Sequence, residues 1–165
     1  MKTLFLIRHA KSDWSASGLL DIDRPLNIRG YSDAHRIGTR LEKIIAEKTL
    51  FASSPAIRAI STALIIARET NYPQNKIQLF PELYNAEPEA YEKVITSIGK
   101  KYDSIFIFGH NPTITNVIGL FTNTNIVEVP TCSVSVIKFN ADDWSAPMIS
   151  SGVLESQIFP KLLIG

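Results

Sequence analysis

Short apolar runs followed by polar or basic clusters recur three times along the chain. They are LFLIRHAKS at residues 4–12, TLFASSPAIRA at 49–59 and SIFIFGHNPT at 104–113. Each run is rich in residues that favour strands, and residues with helical periodicity follow it. The runs are nearly continuous rather than alternating, which is typical of strands covered on both faces. This pattern predicts strand, turn and helix repeated in a mostly parallel α/β sheet.

Four helices are predicted to follow these strands. The first covers about 28–47, where apolar residues recur at helical spacing. The other three begin near a proline, which is favoured in the first turn of a helix. Pro55 is expected as an early residue of the second helix, with Ser53 or Ser54 as its cap. The third helix opens at Pro88 towards Lys100, and the fourth at Pro112 towards Phe121.

The last third of the chain has a different texture. Residues 126–140 and 148–155 are rich in β-branched side chains and are interrupted by polar positions. We expect antiparallel or edge strands there, which close the sheet. No linker or low-complexity stretch divides residues 1–165, so a single domain is expected. The predicted fold class is therefore α/β, with helices on both faces of a mostly parallel central sheet and an antiparallel edge strand.

Composition excludes several classes of function. The 17 basic and 16 acidic residues nearly cancel, so no overall field attracts nucleic acid or a membrane surface. Cys132 is the only cysteine, which excludes an internal disulfide framework and a cysteine cluster for metal. No apolar run approaches the roughly 20 residues of a membrane helix. A signal peptide is not expected either, because Lys2 leads directly into the first strand. A cytoplasmic location is expected.

The chemistry-bearing residues follow the three similar strands. Ligands of open α/β sheets bind beyond the carboxyl ends of the strands, where Arg8, His9, Arg58 and His110 are expected. Two arginines and two histidines suit a phosphate group, because arginine offers a fork of donors and neutral histidine is a nucleophile. No glycine-rich phosphate loop and no metal-ligand cluster occurs. The interpretation is metal-independent phosphoryl transfer without a cofactor.

Each of these residues also has an ordinary explanation when it is taken alone. The Arg8-His9 pair can simply end a strand, His110 can cap the next helix, and Arg58 can pair with an acid at the surface. Their joint position after three similar strands favours a functional site.

Five segments together resemble a known family. RHAKS at 8–12, SSPAIRAISTA at 53–63 and GHNP at 109–112 resemble, in order, the signatures of the histidine phosphatase superfamily, which is phosphoglycerate mutase-like. DIDRPLNIRG at 21–30 and LFPEL at 79–83 fit the same family. Within it, the compact length and the D-x-x-R-P-L stretch are similar to the SixA-like phosphohistidine phosphatases. The resemblance implies the three-layer sandwich of that fold.

The resemblance also implies roles for individual residues. His9 matches the nucleophile, Arg8 and Arg58 match the arginines that clamp phosphate, and His110 matches the second histidine. His9 must be neutral to attack, whereas a protonated His110 would be the better donor. For three further residues the resemblance implies a role and an alternative remains open. Glu82 matches an acid that protonates an alcohol leaving group, and the alternative is that it simply neutralises the arginines. Asp21 and Arg24 match residues at the pocket mouth, and the alternative for Arg24 is that it anchors its loop.

The sequence departs from the family pattern in three ways. Ala10 replaces the signature glycine, LYNAEPEAY at 83–91 replaces the mutase pattern, and the 27 residues between Glu82 and His110 leave no room for a lid insertion. An open site favours phosphohistidine on a protein as the substrate. The alternatives are a small phosphate ester such as a sugar phosphate, and a non-catalytic module that binds phosphorylated proteins.

Overall fold

In the computed structural model, which describes residues 1–145, 148 and 150–163, six strands form one sheet in the order β3-β2-β4-β1-β5-β6. Strands β1 to β4 pair in parallel, and β5 and β6 are antiparallel to their neighbours. The predicted fold class is confirmed, with two antiparallel strands at one side of the sheet. The strands are β1 (Lys2–Arg8), β2 (Thr49–Ser53), β3 (Gln78–Leu79), β4 (Ser104–Gly109), β5 (Val134–Phe139) and β6 (Gly152–Ile158).

Helices cover both faces of the sheet, so the fold has three layers. Alternate residues of β1 enter different cores, because successive side chains of a strand point to opposite faces. Leu4 and Leu6 pack in one buried cluster with α3 and α4, whereas Phe5 and Ile7 pack in the other with α1 and α2. The helices are α1 (Ile28–Leu41), α2 (Ile57–Glu69), α3 (Pro88–Ile98) and α4 (Thr113–Thr122).

The structure shortens the first and third predicted helices. Helix α1 ends at Leu41 rather than near residue 47, and the chain turns back towards β2. This turn lets Ile45 pack against the same core as α1 and leaves Ile44 partly exposed. Helix α3 begins at Pro88 as predicted and stops at Gly99, whose φ of 64° suits glycine.

Neither predicted serine cap holds the start of α2. The helix begins at Ile57, so Pro55 lies before it rather than within it as predicted, and the N-cap residue Ala56 makes no side-chain cap bond. The Ser53 hydroxyl donates to the Ser54 carbonyl, and the Ser54 hydroxyl bonds to His110. The prediction was wrong because the serines are committed to the turn before the helix.

Two strand predictions also need correction. Only Val134–Phe139 of residues 126–140 is a strand, since Pro130 interrupts the segment. Of the stretch before it, Thr131 lines the cavity described below. The strand predicted over 148–155 begins later, at Gly152, and residue 149 lies outside the described residues. Strand β3 was not predicted because two exposed residues carry no periodic pattern.

A close contact between β4 and α3 supports the turn that carries His110. A side chain at Gly109 would place its Cβ 2.0 Å from the Tyr91 hydroxyl oxygen, which is buried between the two elements. The same hydroxyl lies 3.4 Å from the backbone nitrogen of His110, which donates to it. Glycine is therefore required at this position for a spatial reason.

Gly109→Ala is expected to lower the free energy of unfolding by about 1–3 kcal/mol, because the added methyl overpacks the Tyr91 hydroxyl. Urea unfolding measures this loss. Combining it with Tyr91→Phe removes the clashing oxygen, so the double variant should be more stable than additivity of the two single changes predicts. Strict additivity would contradict the contact.

Candidate active site

A cavity of about 740 Å³ lies at the carboxyl ends of β1, β2 and β4. The strand ends meet there because β1 and β2 both pair in parallel with β4. Six of the seven site residues predicted from the sequence line this cavity: Arg8, His9, Asp21, Arg24, Arg58 and His110. The structure therefore brings together residues from four separate parts of the chain.

His9 follows the last residue of β1, and its ring orientation is fixed by its own backbone. Its Nδ1 lies 2.8 Å from the carbonyl oxygen of Ala10. A carbonyl only accepts hydrogen bonds, so Nδ1 carries the proton and Nε2 presents a lone pair. The Arg58 Nε donates to that Nε2 at 3.3 Å. The tautomer is the one in which Nε2 can act as a nucleophile.

Burial of His9 lowers its pKa to about 4, and the charges of Arg58, Arg8 and Arg24 act in the same direction. The hydrogen bond to Ala10 opposes this shift without reversing it. Because a protonated imidazole has no lone pair on Nε2, this lowered pKa keeps the nucleophilic form populated at neutral pH.

His110 lies beside His9, with the ring centroids 5.1 Å apart. Its Nε2 bonds to the Ser54 hydroxyl at 2.7 Å, while its buried Nδ1 has no hydrogen-bond partner among the described residues. Burial, with the proximity of His9 and Arg58, lowers the His110 pKa to about 3. His110 is thus neutral rather than the protonated donor considered from the sequence. A neutral ring with its proton on Nδ1 still has one donor for a bound phosphate.

Arg8 lines the cavity and is held there by residues of the segment between α4 and β5. Its Nη1 donates to the carbonyl oxygen of Val129 at 2.7 Å and to a carboxylate oxygen of Glu128 at 3.1 Å. Its buried Nε has no hydrogen-bond partner among the described residues. Donors of the guanidinium fork beyond those that Nη1 uses therefore remain for a ligand.

The carboxylate of Asp21 joins the two other arginines. Arg58 donates to its Oδ2 at 2.9 Å and to its backbone oxygen at 2.6 Å, and Arg24 donates to its Oδ1 at 2.5 Å. The Tyr84 hydroxyl donates to Oδ2 at 2.8 Å. Arg58 is 5% exposed, so this pairing supplies the counter-charge for a nearly buried cation.

The same contacts determine the ionisation of Asp21. Burial acts to raise its pKa, but the hydrogen bonds from Tyr84 and Arg58 and the charges of Arg58 and Arg24 outweigh burial and lower it. Asp21 is therefore a carboxylate at neutral pH and has no proton to give.

Glu82 is the one predicted site residue that the structure keeps apart from the others. It lies in the short 3₁₀ turn Pro81–Leu83, is exposed, and borders a different depression with Phe80 and Lys93. The buried residue of that turn is Leu83, so the turn directs its apolar side chain inwards. The geometry gives Glu82 no contact with the histidines.

Ala10 fits without strain at the position of the signature glycine. It is fully buried against the core that includes Ile7, and it is not among the residues with positive φ. Its backbone nitrogen donates to the Thr62 hydroxyl at 3.0 Å. Alanine therefore leaves the backbone beside His9 undisturbed.

Four further residues support the site and were not predicted in these roles. Ser54 and Thr62 lie inside the SSPAIRAISTA segment, where the signal was present but was assigned to helix capping or left unused. Tyr84 bonds to Asp21, and its ring also meets the edge of the His110 ring. Trp14 stacks on Arg24. Nothing in the sequence pattern indicates Tyr84 or Trp14, because each contacts residues from another part of the chain.

Two features are absent from the part of the chain that the structure describes. It contains no group of three or more His, Cys, Asp or Glu side chains placed to hold a metal ion. It also contains no helix with the length and apolar character needed to cross a membrane.

The fold matches solved structures of SixA proteins over nearly the whole chain. The protein histidine phosphatase SixA in complex with tungstate superposes with a TM-score of 0.83 at 18% identity, covering 98% of this chain and 99% of that one. A candidate phosphohistidine phosphatase SixA from Agrobacterium tumefaciens superposes with a TM-score of 0.78 at 25% identity, covering 95% and 97%.

More distant phosphatases share the fold. The mycobacterial glucosyl-3-phosphoglycerate phosphatase gives a TM-score of 0.72 at 12% identity, covering 94% of this chain and 98% of that one. In sequence, an uncharacterised chloroplastic protein of Arabidopsis thaliana is 25% identical over 159 residues, which cover 92% of this chain and 72% of the plant protein.

The family model for branch 1 of the histidine phosphatase superfamily matches residues 4–94, which is more than half of the chain. The match includes the segments that carry Arg8, His9, Asp21, Arg24 and Arg58. With the SixA-like architecture, it identifies the protein as a phosphatase that belongs to the histidine phosphatase superfamily, branch 1.

Proposed function

We propose that this phosphatase removes the phosphoryl group from phosphohistidine in proteins, through a phosphohistidine intermediate on its own His9. The observation that carries the choice of substrate is the state of Asp21. This carboxylate is bonded to Arg58, Arg24 and Tyr84, and its pKa is lowered, so it holds no proton for a leaving group. The substrate is therefore one whose leaving group does not depend on a buried acid.

In the first step, the Nε2 lone pair of His9 attacks phosphorus in line with the leaving nitrogen. The bond between phosphorus and Nε2 forms as the bond between phosphorus and the substrate imidazole breaks, and that imidazole takes its proton from solvent. The Arg58 Nε, 3.3 Å from Nε2, lies beside the oxygens of a phosphoryl group on His9.

Two further donors support the transferring group. The buried Nε of Arg8 and the buried Nδ1 of His110 have no protein partner among the described residues. Both belong to side chains that line the cavity. Donors held in place before the reaction stabilise developing charge without reorganisation. Arginine supplies the positive charge that a metal ion provides in other phosphoryl-transfer enzymes.

In the second step, water attacks the phosphorus of the intermediate and the bond to Nε2 breaks. Orthophosphate leaves with both protons of the water on its oxygens. His9 returns to its neutral form with Nδ1 still bonded to Ala10. Both steps use the same donors, so no rearrangement of the pocket is required between them.

An imidazole leaving group differs from an alcohol in its need for a proton. The imidazole of phosphohistidine leaves as a neutral base once its other ring nitrogen carries a proton from solvent, and the conjugate acid of that base has a pKa near 6.5. An alkoxide instead requires protonation at the departing oxygen itself. Glu82, the predicted acid, lies outside the cavity, and Asp21 is ionised. We therefore assign no general-acid role to Glu82.

The mouth of the cavity supports a protein substrate. The cavity is far larger than a phosphate group, and exposed residues such as Trp14, Lys11 and Pro112 border it. A phosphorylated side chain on another protein needs such an open approach, whereas small substrates are usually held in enclosed pockets.

A small phosphate ester is the second candidate substrate. The size of the cavity, about 740 Å³, admits a phosphorylated sugar, and a glucosyl-3-phosphoglycerate phosphatase shares the fold. Parallel turnover measurements on a phosphohistidine protein and on sugar phosphates separate the two. A strong preference for one sugar phosphate would overturn the proposed substrate.

His9→Ala is expected to abolish turnover and the covalent intermediate, because Nε2 is the atom that accepts the phosphoryl group. Wild-type protein labelled with radioactive phosphate should retain the label after alkaline quenching and lose it in acid, as a bond between phosphorus and nitrogen does. The exposed surface change His35→Ala is the control and should leave labelling intact. Full turnover by His9→Ala would contradict the assignment.

Arg58→Lys is expected to lower kcat/KM by about 10²–10³, since an ammonium group keeps the charge but loses the donor beside the His9 Nε2. The matched control is Arg40→Lys on the exposed side of α1, which should retain activity. Steady-state kinetics with an activated aryl phosphate provides the measurement. Equal activity of Arg58→Lys and wild type would exclude a clamping role.

The lowered pKa of His9 and of His110 predicts the pH dependence of the phosphate-free protein. Both rings should stay neutral from pH 8 to pH 5, and ¹⁵N NMR of the ring nitrogens reports this directly. Between the ordinary value of about 6.5 and the native value of about 4, the unfolded chain binds protons that native His9 does not. The free energy of unfolding should therefore fall as pH falls through this window. His9→Gln should flatten that slope, and a midpoint near 6.5 for His9 would contradict the burial argument.

A further inference from the structure

Trp14 has an unusual position for a large aromatic side chain. It is 76% exposed, yet it lines the cavity that contains His9 and Arg58. The guanidinium carbon of Arg24 lies 3.4 Å from its ring centroid. The guanidinium of Arg24 covers one face of the indole, and the rest of the ring surface faces solvent at the cavity mouth.

The backbone holds Trp14 in place. The neighbouring Asp13 donates its backbone N–H to the carbonyl of Pro25 at 2.8 Å, and Ser12 pairs with Leu26 in an antiparallel bridge. Arg24, on the returning side of this segment, is fixed by its bond to Asp21. A tryptophan anchored at both its backbone and one ring face is a rigid surface, and ordering it costs little when a ligand binds.

The leaving group of the proposed reaction lies in the cavity that Trp14 borders. In-line attack requires the departing nitrogen to lie opposite the His9 Nε2, so the leaving group extends away from His9 within the cavity. Trp14 belongs to the wall of the same cavity. A planar imidazole can stack on indole, and its protonated product is also attracted to the indole face.

We propose that Trp14 is a specificity-determining residue, whose exposed ring surface stacks on the imidazole of the substrate phosphohistidine while its covered face holds Arg24. This inference rests on the proposed function and assigns recognition of the leaving group to one side chain. It separates two tasks within the pocket: the arginines and histidines bind the phosphoryl group, and Trp14 recognises the ring attached to it.

Two substrates with the same type of bond test the proposal. Free N-phosphorylated histidine has an imidazole leaving group, whereas phosphoramidate has a bond between phosphorus and nitrogen but no ring. Trp14→Leu is expected to lower kcat/KM for phosphohistidine by about 2- to 10-fold more than for phosphoramidate, mainly through a higher KM. This fold-change corresponds to the loss of one aromatic pair. Trp14→Phe should restore most of the difference.

Tyr31→Leu is the matched control, because Tyr31 is an exposed aromatic residue that does not line the cavity. It should leave both substrates unaffected. Turnover of phosphoramidate by Trp14→Leu shows that the variant is folded and that its phosphate pocket is intact. A thermal melt provides an independent check of folding.

The results that would overturn the inference are specific. An equal fall for both substrates means that Trp14 acts only by holding Arg24, and no fall for either means that the ring has no contact with the substrate. Either result leaves the proposed function standing, provided that wild-type protein hydrolyses phosphohistidine. Failure of wild-type protein to hydrolyse phosphohistidine, with turnover of sugar phosphates, would instead refute the proposed function.

Discussion

The parallel register between β1 and β4 is the constraint on which the site depends. Arg8 pairs with Gly109, so the residues that follow, His9 and His110, leave the sheet side by side with their ring centroids 5.1 Å apart. A shift of one residue would turn the side chains of β1 to the opposite faces, so the two buried cores enforce the register. The energy that fixes the catalytic geometry is therefore the burial of strand residues on both faces of the sheet.

The carboxylate of Asp21 pairs with two of the pocket's arginines, and the two neutral histidines add no further positive charge. The structure places Arg58 and Arg24 around Asp21 and keeps both histidines neutral, because burial and the arginine charges lower the pKa of each ring. The same arrangement activates the proposed nucleophile and removes a proton donor. A pocket of this kind suits a phosphoryl group attached to a good leaving group, and this is the reason for proposing phosphohistidine as the substrate.

Much of the fold could be predicted because buried strands and amphipathic helices leave periodic patterns in the sequence. Helix α1 shows the limit: its periodicity continued to Ile45, but the helix ended at Leu41, since a turn also buries Ile45. Ser54 shows another limit. A serine before Pro55 resembles a helix cap, but its hydroxyl is bonded to His110, which lies 56 residues later. Local patterns contain no information on such a contact.

The sequence by itself determined the class of fold, the family, and six of the residues that line the cavity, because strand ends and motif order are local properties. Only the tertiary structure decided which of these groups interact. It joined Asp21 to Arg58 and Tyr84, separated Glu82 from the histidines, and laid Trp14 over Arg24. The physical reason is that hydrogen bonds, ion pairs and pKa shifts depend on distances and burial between distant segments, which packing of the whole chain establishes.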